Sequence, residues 1–331
     1  MPRRILTALL VAVLALLAGC GSGATPEASE TGSAPVPSVA GGFPATVQTK
    51  FGAVTIEQAP TRVVALGWGD AETALALGVQ PVGASDWLAF GGEGVGPWAA
   101  GRYATPPKII GTTEPSYEAI AALEPDLILD TKSSGDAKRH ELLAAIAPTV
   151  GVPEGGDNYL TSGPQQLSMI ATALGKTAEG QQLQADVDAK FAAARSAHPQ
   201  WQGKTVTAAT KTSEGWGAYI TGSERVAFLE QLGFVQNPEI AELSPNATGF
   251  SVSISNEQVR LLDADVIVAF PIFIPTDQIT DDPVFRTVPA VRDGRSVVID
   301  GDLAAAYSLG TTLAVEYALG EMVTRLEKAV A

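Results

Sequence analysis

One cysteine, two histidines and a scatter of carboxylates limit the chemistry open to this chain. Cys20 is the only thiol, which excludes a disulfide framework and any multi-cysteine zinc or iron–sulfur site. His140 and His198 are the only imidazoles, too few for a three-histidine metal centre. Hydrolytic signatures are also missing: the sequence holds no G-x-S-x-G, no S-x-x-K and no H-E-x-x-H. The glycines at 91–96 fail as a dinucleotide loop, because the spacing from Gly92 requires glycine where Pro97 stands. Catalysis would therefore rest on carboxylates alone, and a surface carboxylate-dependent hydrolase is the alternative from the enzyme class. No pair of acids is singled out for it.

The residues suited to binding are more numerous. Four of the five tryptophans (Trp68, Trp87, Trp98 and Trp216) fall in segments that follow β-branched runs, where an open α/β sheet gathers its ligand contacts. Tyr103, Tyr219, Phe250, Phe270 and Phe273 fall in comparable places. Aromatic faces give large contact area at low entropy cost, which suits a bulky ligand. Arg102, Lys132, Lys211 and Arg225 are the cations within reach of the same segments, and Arg225 is equally placed to sit on a solvated helix face.

Those segments need elements to position them. The hairpin signal of 46–56 leads into short β-branched runs at 62–66, 81–84, 108–110 and 126–129, with helical stretches at 70–77 and 116–123. Residues 162–198 are mostly helix-forming, with a soft interruption at Gly175. The pattern then restarts, with strands at 205–210, 265–270 and 296–299 and helices at 223–232, 255–262 and 309–329. Strands alternating with helices imply parallel sheets covered on both faces. The expected fold is α/β, two Rossmann-like lobes bridged by one long α-helix: an N-terminal lobe over 46–163, the interlobe helix over 164–198 and a C-terminal lobe over 199–331. Segment 118–129 also aligns without gaps to 257–268, with Glu118/Glu257, Leu123/Leu262, Asp126/Asp265 and Ile128/Ile267 coinciding, as a duplicated lobe would give.

Ahead of the lobes lies an address. Arg3 and Arg4 precede an apolar run that is too short for the about 20 residues of a membrane span. Residues 1–19 have the form of a secretory signal peptide. Leu17-Ala-Gly-Cys20 resembles the bacterial lipobox, which implies cleavage before Cys20 and lipid on its thiol. Residues 20–45 are the lipidated cysteine and a Gly/Ser/Pro/Ala/Thr-rich flexible tether, unable to bury enough surface to order itself. This predicts an extracytoplasmic, lipid-anchored protein. The balance of 21 basic against 36 acidic residues, a formal charge of −15, argues against nucleic acid as a partner.

Four segments carry a wider resemblance: Pro60-Thr-Arg-Val-Val-Ala-Leu66, Ala74-Leu-Ala-Leu-Gly-Val79 with Pro81-Val-Gly83, Tyr117-Glu-Ala-Ile-Ala-Ala-Leu-Glu-Pro-Asp-Leu-Ile128 and Val288-Pro-Ala-Val-Arg-Asp-Gly-Arg295. They resemble the iron–siderophore binding proteins of ABC importers, over both lobes and in order, from about residue 46 to the end. The resemblance implies a monomeric receptor, not an enzyme, that binds a ferric siderophore and delivers it to permease subunits, with iron present only inside the chelate. Cobalamin- and haem-binding relatives share the frame and supply the alternative ligands. The resemblance also implies that Glu118 and Glu257, one on each lobe, pair with permease arginines. The scarcity of cleft cations on an acidic body favours a neutral or cationic hydroxamate chelate.

Overall fold

The computed structural model describes residues 42–330 except Asp157 and Thr248. The signal peptide (1–19), Cys20 and most of the 20–45 tether lie outside the described residues. None of the described helices is long and apolar enough to cross a membrane.

The hairpin forms as expected: β1 (Ala45–Thr49) pairs antiparallel with β2 (Gly52–Ile56). The first lobe is then a five-stranded parallel sheet of β3 (Val63–Ala65), β4 (Gly83–Ser85), β5 (Lys108–Ile110), β6 (Leu127–Leu129) and β7 (Thr149–Val150), ordered β5-β4-β3-β6-β7. Helices α1 (Asp70–Ala76), α2 (Tyr117–Ala121) and α3 (Ala137–Ala144) alternate with the strands. Every residue of β3 and β6 is buried, because both faces of a central parallel strand are covered, and this is why these strands read as unbroken apolar runs.

The connector is two helices, not one. α4 (Gly163–Ala173) and α5 (Thr177–Ala197) are separated at Gly175, which takes φ +65°. Such a backbone ends a helix at little cost only when the residue lacks a Cβ. α4 packs on β1, β7 and α1 and belongs with the first lobe, whereas α5 packs on helices of the second. The bridge itself is thus α5, 21 residues and about 30 Å long at 1.5 Å per residue.

In the second lobe β8 (Thr205–Thr212) and β12 (Val266–Pro271) run parallel, followed by β13 (Ser296–Val298). Two further strands depart from the all-parallel expectation. β9 (Gly215–Tyr219) turns back antiparallel to β8, and β11 (Ser251–Ile254) pairs antiparallel with β9, giving the order β11-β9-β8-β12-β13. A short β10 (Val235–Gln236) adds to the start of β8. Helices α6 (Glu224–Gln231), α7 (Pro238–Ala241), α8 (Asp277–Thr280) and α9 (Pro289–Arg292) accompany them. The last predicted helix forms as α11 (Thr312–Ala329), starting behind Thr311, whose Oγ1 accepts from the Ala314 N–H; ahead of it lies a helix the sequence reading did not expect, α10 (Gly301–Leu309), which stops at Gly310, with φ +76°. The 256–262 stretch is a 3₁₀ helix.

The matched segments have a structural counterpart at their aspartates. Asp126 accepts from the Thr61 N–H and hydroxyl, both at 2.7 Å, and Asp265 accepts from the Thr205 N–H (2.7 Å) and hydroxyl (2.9 Å). Each acid ties the strand that it precedes to a threonine at the start of the lobe's first sheet strand, Thr61 two residues ahead of β3 and Thr205 at the head of β8.

Candidate ligand-binding cleft

A cavity of about 660 Å³ lies between the lobes. The first lobe contributes the segments after its strands, chiefly Trp68 after β3, Trp87 after β4, Thr113 after β5 and Tyr159 after β7. The second contributes Tyr219 at the end of β9, Arg225 in the first turn of α6, Phe250 before β11, Phe270 to Phe273 at the end of β12, and one face of α10.

The walls are aromatic and mutually braced. Trp87 donates its indole N–H to the Leu66 carbonyl (2.8 Å), and its ring packs 6.3 Å from Trp68 and 5.3 Å from Tyr159. Across the cleft, Tyr219 stacks between Phe250 (6.2 Å) and Phe270 (5.8 Å). The Arg225 guanidinium joins the two walls, 5.0 Å from the Trp68 ring and 4.5 Å from the Tyr219 ring. Asn158, Tyr159 and Phe273 take positive φ values of 52–62° at the rim, as does Ala89 beside Leu88, and such strained backbone gathers at ligand clamps. Burial pushes the Tyr159 phenol above its ordinary range, so it stays a neutral donor.

Of the predicted binding residues, Trp68, Trp87, Tyr219, Arg225, Phe250, Phe270 and Phe273 therefore meet in one cavity; Trp98, Arg102, Tyr103, Lys132 and Trp216 do not, nor does the cation Lys211. Trp98 donates to Glu72 Oε2 (2.7 Å) and packs 5.2 Å from Tyr317. Arg102 is exposed and does not line the cavity. Tyr103 is buried with Leu75 and Ala99, and burial raises its phenol far above the ordinary value. Trp216 lies three residues from Tyr219 on the same strand, so it faces the other side of the sheet, where it donates to Asp282 (3.0 Å) and stacks on Phe285 (4.5 Å). Lys132, 2% exposed, donates to Glu224 Oε1 (2.9 Å) and to the Leu309 carbonyl (3.4 Å). Lys211 is engaged by Asp282 and by the Gln278 carbonyl.

Sequence reasoning missed Tyr159, Thr113 and the α10 face, which no local pattern marks. It also missed the polar ties beneath the cavity. Glu224 accepts from both Lys132 and the Gly163 N–H (2.7 Å), and the buried Glu72 accepts from Trp98, the Gly96 N–H (3.1 Å) and the Thr311 hydroxyl (2.8 Å). Both ties cross from lobe to lobe. Among the described residues no group of three or more His, Cys, Asp or Glu side chains is placed to hold a metal ion. The arrangement offers aromatic contact, neutral hydroxyls and one cation, a binding surface without a nucleophile or base.

Glu118 and Glu257 are both exposed, each in the first turn of the helical segment that follows a strand's carboxyl end. Ser116 caps the first, accepting from the Ala119 N–H, and in the second the Ser255 N–H donates to Gln258 Oε1. Among the described residues neither acid forms an ion pair.

Comparison with known proteins agrees with this geometry. The family model described as "Periplasmic binding protein" matches residues 63–303, and the chain belongs to that family. It is an extracytoplasmic solute-binding protein, not an enzyme. It is 30% identical over 261 residues to the probable siderophore-binding lipoprotein YfiY of Bacillus subtilis, covering 73% of this chain and 75% of that one. A periplasmic solute binding protein from Mycobacterium smegmatis superposes with a TM-score of 0.76 at 28% identity, over 87% of this chain and 99% of that one. PiaA of Streptococcus pneumoniae in complex with ferrichrome gives a TM-score of 0.72 at 25% identity, over 86% and 98%.

Proposed function

We propose that this protein binds a ferric siderophore in the interlobe cleft and delivers it to the permease of an ABC importer. The observation that carries the reading is the cleft itself: an aromatic cavity of about 660 Å³ between two lobes, within the size range of small-molecule sites and free of catalytic constellations. The names of its relatives support the ligand class, as YfiY is called siderophore-binding and PiaA is described with ferrichrome. Cys20 carries the lipid that holds the protein to the cell membrane, and the protein acts as a monomer without a resident cofactor, iron arriving inside the chelate. Glu118 and Glu257 are the two points at which the permease grips it; their exposure, and the fact that neither forms an ion pair among the described residues, support this role.

A tryptophan fluorescence titration tests the ligand. Trp68 and Trp87 line the cleft, so a ferric siderophore should quench emission saturably at micromolar concentration or below, while cobalamin and haem should not compete. Saturable quenching by cobalamin or haem alone would move the assignment to that ligand; silence from all three would remove it.

A further inference from the structure

We propose that Arg225 reads the charge of the ligand, and that the cleft selects ferric chelates presenting one anionic group over both neutral and multiply charged ones. This rests on the siderophore-receptor reading and narrows it.

Four observations converge. Arg225 is 7% exposed, yet among the described residues its guanidinium forms no ion pair, and its Nε is buried without a hydrogen-bond partner. What surrounds it is π-surface, Trp68 on one side and Tyr219 on another. Aromatic faces attract a guanidinium, but they return only part of the hydration that burial removes. The remaining deficit is met when a ligand supplies an oxyanion, since charge-assisted hydrogen bonds to a guanidinium are short, strong and often two-pronged.

The second observation concerns the other cations. Lys132 is neutralised by Glu224 and Lys211 by Asp282, while Arg102 lies off the cavity. Third, Arg225 is the sole charged side chain among the described residues that line it. One unpaired positive charge balances one negative charge. A ligand with three would carry two uncompensated charges into an aromatic pocket, against a steep desolvation cost. Fourth, the chain's formal charge of −15 opposes the approach of polyanions. The preference for a neutral or cationic chelate, drawn from the sequence, is thereby replaced: the scarcity of cleft cations holds, but the one that is present is buried and unpaired.

The test keeps the iron-binding core constant and varies only charge. A linear ferric trihydroxamate with a pendant primary amine is compared as the free ammonium form, as its neutral acetyl amide and as its singly negative succinyl half-amide, beside a triply negative ferric tris-catecholate. Each is titrated into the mature protein by tryptophan quenching. The succinyl form should bind about tenfold or more tighter than the acetyl form, the range expected of one charge-assisted hydrogen bond, and the tris-catecholate should bind weakest. In Arg225→Gln the gap between succinyl and acetyl forms should close. Equal affinities across the hydroxamate series in the unmodified protein, or tightest binding of the tris-catecholate, overturn the charge-reading role and leave the receptor reading standing. Should no ferric chelate bind, ferric dicitrate included, the receptor reading itself falls. The comparison in the unmodified protein decides the matter even if Arg225→Gln does not fold.

Discussion

Individual side chains divide into those that shape the cleft and those that hold the lobes behind it, and substitution separates the two. Phe273 is fully exposed and stacks on no other ring among the described residues, yet it lines the cavity rim. Phe273→Ala should leave stability within about 0.5 kcal/mol, as for a surface change, while weakening chelate binding several-fold, read by urea denaturation and by quenching on the same sample. Unchanged affinity would place Phe273 outside the ligand's reach. Lys132 belongs to the other group. Removing its ammonium leaves Glu224 largely buried without a counter-charge, so Lys132→Met should cost about 3 kcal/mol, the scale of a broken buried pair. A loss below about 1 kcal/mol, the scale of an exposed pair, would show that water reaches the tie. The sequence marked Lys132 as a cation after a strand, but its partner lies 92 residues away, and no local pattern reports such a distance. Trp216 and Tyr219 show the same limit: once the segment is a strand, their spacing of three decides that only one faces the cleft.

At the scale of elements, legibility followed burial and pattern. β3, β6 and β12 are short apolar runs covered on both faces and are readable at once. β9 was not, because Gly215 and Gly217 dilute its alternation, and missing it led to an all-parallel second lobe. Helix ends turned on single residues. Gly175 was legible as an interruption, but the sequence alone does not say that it divides the connector. An added Cβ there would meet the Phe43 ring at 2.7 Å as well as a left-handed backbone, so Gly175→Ala should cost at least the about 1–2 kcal/mol of that conformation, measured by thermal or urea unfolding. The paired aspartates predict an acid response. Burial alone would raise Asp126, but its hydrogen bonds from Thr61 and Arg62 together outweigh it; in Asp265 the Thr205 N–H is the largest influence, and both carboxyls are held below the usual carboxylate range. A depressed folded-state pKa adds stability above the unfolded value and loses it as pH falls through the folded one. Stability contributed by these two acids should therefore be intact at pH 6 and decline below about pH 4, near the unfolded aspartate value. The double variant Asp126→Asn with Asp265→Asn should flatten that part of the pH profile; an unaltered slope would contradict their role.

The molecule as a whole is built to bind with little rearrangement. α5 spans the lobes as a continuous helix, and two acids, the buried Glu72 and the largely buried Glu224, tie them directly, so wide hinge rotation is not expected. This leaves Glu118 and Glu257 at a nearly fixed separation, as two-point docking requires. Glu118→Lys with Glu257→Lys should leave chelate affinity intact and abolish uptake through the permease; normal iron-dependent growth at normal surface abundance would refute docking. The most direct test of the central claim is native mass spectrometry of the mature protein incubated with a ferric siderophore. A single adduct is predicted, with the mass of one intact iron chelate, and it should be lost when Trp68 and Arg225 are both replaced by Ala in a variant that still folds. An unmodified protein mass with no adduct, or a chelate returned chemically altered, would contradict it.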